Sequence, residues 1–258
     1  MHIAFFDSGV GGLTVLHEAM KKMPGERFVY FGDSRHAPYG TKSSEAIKTL
    51  VFNAVNFLAE RNLKALVLAC NTATSVAVKD LRSTYDFPII GMEPAVKPAV
   101  EKSEKYKVLV CATDLTLKEK KLNDLVHNLK ADNKVDYLSL QELVMFAENF
   151  RFDNPEVIRY LREKMAEPDW SRYSSIVLGC THFIFFREQI RSLIPPHIRI
   201  LDGNAGTVNN LITKIDTENL NPAIPVRYYI SGEAAPAGYF EKYLNYLSEI
   251  DLNNTAFL

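Results

Sequence analysis

Two cysteines in this chain of 258 residues stand in matching surroundings. One follows the apolar run Ala65-Leu66-Val67-Leu68-Ala69 as Cys70-Asn71-Thr72, and the other follows Ser175-Ile176-Val177-Leu178-Gly179 as Cys180-Thr181-His182. A thiol at the carboxyl end of a strand, ahead of a helix start, sits among backbone N–H donors that favour the thiolate, and such a thiol moves protons. A lone free cysteine is ordinarily a small apolar filler. The repetition argues instead for two thiols facing one ligand from two sides, one taking a proton while the other gives one. A redox pair lacks its C-x-x-C spacing and zinc lacks paired His and Cys ligands, so no metal site is expected. The third cysteine, Cys111 in Val108-Leu109-Val110-Cys111-Ala112, lacks the polar followers and reads as core.

Three further constellations surround this pair. Phe6-Asp7-Ser8-Gly9-Val10-Gly11-Gly12 closes an N-terminal strand and opens a helix. It has neither the G-x-G-x-x-G spacing of a dinucleotide site nor the Lys-Ser/Thr ending of a P-loop. Its glycines are read as permitting close backbone approach and positive φ. Asp7 is either a cap for the following helix or a carboxylate that meets a substrate ammonium or handles protons. The loop Phe31 to Thr41 is rich in turn residues whose backbone donors suit a carboxylate, although a plain connection has the same composition. Thr113 and Thr116 offer hydroxyls beyond the Cys111 strand, as caps also do. His182, two residues past Cys180, stands where an imidazole serves acid–base chemistry.

The elements that must carry these residues alternate. Short Val, Ile, Leu and Phe runs mark strands at His2 to Phe6, Arg27 to Phe31, Ala65 to Ala69, Pro88 to Gly91, Lys107 to Ala112, Val135 to Ser139, Ser175 to Gly179 and Arg199 to Leu201. Segments of helical period lie between them, clearest at Leu13 to Lys22, Ser44 to Arg61 behind Ser43, Arg187 to Leu193 ahead of Pro195-Pro196, and Ala237 to Leu247. This is the pattern of an α/β fold with mainly parallel sheets. Breaks at Pro94 to Pro98 and Gly203 to Gly206 divide it into two lobes, residues 1–97 with 207–258 and residues 98–206, the final segment with Arg227 to Ile230 returning to the first sheet. Ligands in such sheets bind beyond the strands' carboxyl ends, so the two thiols are expected in the cleft between the lobes.

Composition narrows the function classes. Apolar residues make up 47% and charged residues 24%, which excludes a disordered or fibrous chain. Thirty Lys and Arg against 31 Asp and Glu leave a net charge of −1, so neither nucleic acid nor a membrane surface is an expected partner. No run approaches the ~20 apolar residues of a membrane span. The run Ile3 to Phe6 is far shorter than a signal-peptide core, so a cytoplasmic protein with reduced thiols is expected.

The four segments DSGVGG, GDSRHAPYG, ACNTAT and GCTHF together resemble the cofactor-independent glutamate racemases of the aspartate/glutamate racemase superfamily, in order and spacing from residue 3 to about residue 204. The resemblance implies two similar α/β lobes, a 1,1-proton transfer at the α-carbon of glutamate without a cofactor, and a supply of D-glutamate for peptidoglycan. It places Cys70 and Cys180 as the catalytic acid/bases, with Asp7 and His182 assisting them. Substrate contacts fall on Asp7, Ser8, Tyr39, Gly40, Asn71, Thr72, Thr181 and His182. Thr113 and Thr116 match a pair that holds a substrate carboxylate in some members, and Glu148 falls near a family glutamate. A homodimer is the expected assembly. Ile184 replaces a proline usual after GCTH, and the segment after residue 205 is less diagnostic. An aspartate racemase is the nearest rival; a related decarboxylase needs only one cysteine. A two-lobed solute-binding protein would carry a secretion signal and no matched cysteines.

Overall fold

The computed structural model describes residues 1–103, 105–217 and 225–255. In chain order its elements are β1 (His2–Asp7), α1 (Leu13–Lys22), β2 (Phe28–Gly32), α2 (Ser44–Ala59), β3 (Leu63–Leu68), α3 (Asn71–Thr84), β4 (Ile89–Gly91), α4 (Val96–Glu101), β5 (Lys107–Ala112), α5 (Asp114–Lys118) and α6 (Lys120–Asn128). There follow β6 (Val135–Ser139), α7 (Glu142–Glu148), α8 (Pro155–Ala166), β7 (Tyr173–Leu178), α9 (Arg187–Leu193), β8 (Arg199–Asp202), α10 (Asn204–Ile212), β9 (Arg227–Ile230), β10 (Glu233–Ala234) and α11 (Glu241–Thr255).

These strands form two sheets. The first runs β10-β9-β2-β1-β3-β4 and is parallel except for β10; the second runs β6-β5-β7-β8 and is parallel throughout. Near-continuous apolar runs suit strands covered on both faces, and β1 is buried from Ile3 to Asp7. Ser43 caps α2 by accepting the Ala46 N–H at 3.3 Å, and Ile47, Val51, Ala54, Val55 and Leu58 form its buried stripe. That stripe packs with Phe6, Phe31, Leu66 and Leu68 on one face of the first sheet. The other face belongs to a larger core that continues from Ile3, Phe5 and Leu16 to Phe185, Phe186 and Tyr243, so both lobes are tied together on the side of α1 and α11.

Most elements fall within a residue or two of expectation, and three local readings change. The last helix starts at Glu241 rather than Ala237, because Pro236 precedes a turn in which Gly238 takes φ +80°. Pro98 lies inside α4, in the first turn, where no intrahelical N–H bond is needed. The Asn204-Ala205-Gly206 stretch opens α10. Of the expected lobes, residues 218–224 and 256–258 of the first and residue 104 of the second lie outside the described residues.

Candidate active site

Strand ends deliver the chemistry. β1 ends on Asp7, β3 runs into Cys70, β5 into Thr113, and β7 into Cys180. Ser8, Pro38, Tyr39, Gly40, Cys70, Asn71, Thr72, Thr113, Val144, Cys180, Thr181 and His182 line one cavity of about 10 Å3. Both echoed cysteines therefore reach the same small, buried space from opposite sheets. That is about the ~10–15 Å3 needed to hold a single water and far too little for an amino acid, so a substrate is admitted only when the lobes part. A wider cleft of about 620 Å3 shares Asn71 with this cavity and also reaches Thr116, but it contains neither cysteine nor His182.

On the first-lobe side Cys70 is the N-cap of α3. Its sulfur accepts the Ala73 N–H at 3.3 Å and its thiol donates to Ser8 Oγ at 3.5 Å. The strand-end donors were expected to favour the thiolate, yet burial and the neighbouring Asp7 carboxylate outweigh them, and the Cys70 thiol is pushed up to about 12. Asp7 is itself fully buried. Its Oδ1 accepts the Gly9 N–H at 2.9 Å and its Oδ2 accepts the Thr181 hydroxyl at 3.1 Å, a bond that crosses between the lobes. Burial raises the Asp7 carboxyl above the usual carboxylate range, against the opposing pull of His182 and the Gly9 N–H.

On the second-lobe side Cys180 Sγ lies 3.7 Å from His182 Nδ1, and His182 Nε2 lies 2.7 Å from Glu148 Oε1. Burial disfavours a charged imidazole, but the contacts with Cys180 and Glu148 prevail and hold His182 well above its ordinary value. The same Glu148 oxygen accepts the Val10 N–H at 2.7 Å. The glycines of residues 9–12 serve this approach. A Cβ at Gly9 would overlap the Glu148 carboxylate, and one at Gly11 would overlap His182 and Thr181. Positive φ is not their purpose, since Gly12 has φ −63° and the positive-φ glycines among the described residues are Gly232 and Gly238.

The polar lining is dense. Thr72 Oγ1 is 3.0 Å from Thr116 Oγ1 and 3.3 Å from Thr113 Oγ1, joining α3 to α5 across the cleft. Asn71 Oδ1 is buried without a hydrogen-bond partner, an acceptor suited to an ammonium group. Tyr39 contributes its ring and backbone, because its hydroxyl is committed to Asp33 Oδ2 at 2.6 Å. Thr116 and Asp7 stand just behind the cavity wall and act on it through Thr72, Thr113 and Thr181. Cys111 is fully buried in β5, and burial pushes its thiol upward. Among the described residues no group of three His, Cys, Asp or Glu side chains is placed to hold a metal ion, and no helix is long and apolar enough to cross a membrane.

The family model for Asp/Glu/Hydantoin racemases matches residues 8–211, which include every side chain lining this cavity. The chain belongs to the Asp/Glu/Hydantoin racemase family. It is an amino-acid racemase, an isomerase. A curated glutamate racemase of Halothermothrix orenii is 48% identical over 257 residues, covering 97% of this chain and all of the relative. Among solved structures, glutamate racemase isoform RacE1 of Bacillus anthracis superposes with a TM-score of 0.81 at 30% identity, over 93% of this chain and 91% of that one. The Escherichia coli glutamate racemase, solved with L-glutamate and the activator UDP-MurNAc-Ala, gives a TM-score of 0.81 at 28% identity, over 96% and 94% of the two chains. These racemases share the two-lobed α/β fold described above.

Pro38, within the turn-rich loop of residues 31–41, and Val144 join the expected residues in this cavity, and Glu148 enters it through His182. α7 carries both Val144 and Glu148, four residues apart on one helix face. A helical reading of Glu142 to Glu148 would have linked them. Ile184, standing where a proline is usual, lies within the 3-10 helix from Thr181 to Phe186, and the Arg187 N–H still reaches the Ile184 carbonyl.

Proposed function

We propose that this racemase interconverts L- and D-glutamate by moving the α-proton between Cys70 and Cys180, supplying D-glutamate for peptidoglycan. The observation that carries the reading is the meeting of both thiols in one buried cavity, each from a different sheet. Inversion through a planar carbanion needs a base on one face and an acid on the other. One sulfur, as thiolate, takes the α-hydrogen; the electron pair is held on the carbon and its carboxylate; the opposite thiol returns a proton to the other face. The two sulfurs exchange protonation states in each turnover, and the reverse reaction uses them in reverse.

The neighbours divide the remaining work. Asp7 sits beside Cys70, and the Glu148–His182 pair sits beside Cys180, each able to adjust the proton on its thiol. Asn71 Oδ1 and Ser8 meet the ammonium group. The Tyr39 and Gly40 backbone donors hold a carboxylate, and the Thr72, Thr113 and Thr181 hydroxyls, braced from behind by Thr116, meet the carboxylates and stabilise the charge that develops during transfer. Closure of the lobes excludes water. The lobes are residues 1–97 with 207–258 and residues 98–206, a division supported by the pairing of β9 with β2, except that α10 opens at Asn204 and packs on α1, which argues for a second boundary near residue 203. A cytoplasmic setting agrees with thiols that must stay reduced, and a homodimer follows from the family resemblance.

The test is racemisation followed by circular dichroism with both glutamates and both aspartates, in heavy water and without added pyridoxal phosphate. Glutamate turns over with deuterium entering the α-carbon, and Cys70→Ala and Cys180→Ala each abolish inversion while leaving at most one-sided exchange or elimination. Turnover of aspartate alone would overturn the substrate; full activity in either cysteine variant would overturn the two-base mechanism.

A further inference from the structure

Asp33 lies outside the cavity, yet four groups converge on it or its neighbours. It is buried at the end of β2, where its N–H donates to the Asp7 carbonyl at 2.9 Å. Its Oδ2 accepts the Tyr39 hydroxyl at 2.6 Å. Its Oδ1 accepts the Ser231 hydroxyl at 2.6 Å and lies 2.8 Å from His36 Nδ1. Ser231 occupies the β9–β10 turn with φ 48°, and its own N–H donates to the Gly32 carbonyl at 3.0 Å. Arg35 reinforces the same junction by pairing with Glu233 and donating its N–H to Ser231 Oγ at 3.3 Å. The carboxylate is thus anchored from a strand almost two hundred residues away in sequence, and it faces the ring that walls the cavity.

Tyr39 is 1% exposed, with its ring 6.3 Å from that of Phe6. With the ring seated and the hydroxyl tied, the backbone of residues 38–40 is held against the second lobe, where a Cβ at Gly40 would come within 2.8 Å of Thr113 Cβ. A loop left to itself samples many backbone states; an ionic hydrogen bond at its centre selects one. We propose that Asp33 is a positioning residue for racemisation, using Ser231 as its anchor to clamp the Tyr39 hydroxyl and so fix the Tyr39–Gly40 backbone donors against the substrate. The proposal rests on the reading that this backbone faces the substrate.

Steady-state kinetics on five variants test it. Backbone donors that bind the substrate and the transition state equally govern KM rather than kcat. Asp33→Ala is expected to raise KM for both glutamates about 10–100-fold with kcat within about threefold. Asp33→Asn, which keeps one acceptor for the Tyr39 hydroxyl, raises KM less, and Ser231→Ala, which touches Asp33 and not the cavity, raises it severalfold. Adding Tyr39→Phe to Asp33→Ala changes KM by no more than about twofold further, since both remove one interaction. If Asp33→Ala does not fold, Asp33→Asn and Ser231→Ala decide the matter alone. A lowered Tm with unchanged KM in these variants, or independent effects of Asp33 and Tyr39, overturns the proposal. Gly40→Ala separates the two levels. If it leaves KM unchanged, the substrate-facing reading of the loop fails; if it raises KM while Asp33→Asn and Ser231→Ala do not, only the role of Asp33 fails.

Discussion

Glu148 Oε1 sits 2.7 Å from His182 Nε2 and accepts the Val10 N–H at the same distance, so one carboxylate oxygen joins the first-lobe glycine loop to the imidazole beside Cys180. With its carboxylate 8% exposed and the imidazole 2% exposed, little solvent screens the pair. Glu148 and Cys180 hold the imidazole proton against the cost of burial. Below this raised value the imidazolium persists; above it the proton leaves.

Glu148→Gln removes one of those holds and leaves burial opposed by less. The His182 proton is then lost at lower pH, and the alkaline limb of kcat/KM moves downward. At neutral pH kcat/KM is expected to fall about 10–100-fold. The fall is the same for both enantiomers, because a racemisation between mirror-image substrates has an equilibrium constant of one. Initial rates from each glutamate across pH check this, and an unmoved alkaline limb would contradict it.

Gly11 tests the other side of the same contact. A Cβ there would overlap the His182 ring and the Thr181 hydroxyl. Overpacking of this kind costs about 1–3 kcal/mol, and for a chain of this size each kcal/mol lowers Tm by about 2–4 °C. Gly11→Ala is therefore expected to lower Tm by several degrees and kcat/KM by at least tenfold, whereas Gly206→Ala, inside α10 with nothing within 4 Å of the added carbon, is expected to leave kcat/KM unchanged and to hold or slightly raise Tm. Calorimetry and CD kinetics on the two variants measure the contrast.

The cysteine contexts were legible in sequence because each is a local pattern: an apolar strand, a small residue, a thiol and a helix start. The glycine loop was legible for the same reason, although its close approach to the opposite lobe emerged only in three dimensions. Glu148 has no such local signature; its partner His182 is brought to it by the packing of α7 against the turn after β7. The link between Asp33 and Ser231 depends on β9 returning beside β2; the return of Arg227 to Ile230 to the first sheet is legible in sequence, but the residues around Ser231 carry no motif that marks their partner. The direction of the Cys70 shift was misread because neighbouring N–H donors are visible in sequence, whereas complete burial beside Asp7 is not.

Cys111 provides the contrast with the two cavity thiols. It is 0% exposed in the centre of the second sheet, and its residue pairs with Leu138 and Leu178 on the adjoining strands. Cys111→Ala should retain kcat/KM within about twofold while lowering stability by about 1 kcal/mol, the cost of removing one small buried group. Loss of activity without loss of stability would give this thiol a part in the reaction.

Asp7 and Cys70 offer a prediction whose two readouts run in opposite directions. The Cys70 thiol is pushed up to about 12 first by burial and then by the Asp7 carboxylate. Asp7→Asn deletes the negative charge and leaves the burial, so the thiolate should form at lower pH, though still above the free-thiol range of about 8.5. Thiolate absorbance titrated in a Cys111→Ala, Cys180→Ser background isolates this one group and does not depend on reagent access to the closed cavity. In the otherwise unaltered enzyme the same Asp7→Asn change should slow racemisation, because the carboxylate that adjusts the thiol and ties Thr181 across the cleft is gone. An easier ionisation accompanied by a slower reaction would show that Asp7 serves proton transfer and lobe closure rather than thiolate formation in the resting enzyme. A Cys70 titration unchanged by the substitution would remove the electrostatic link between the two residues.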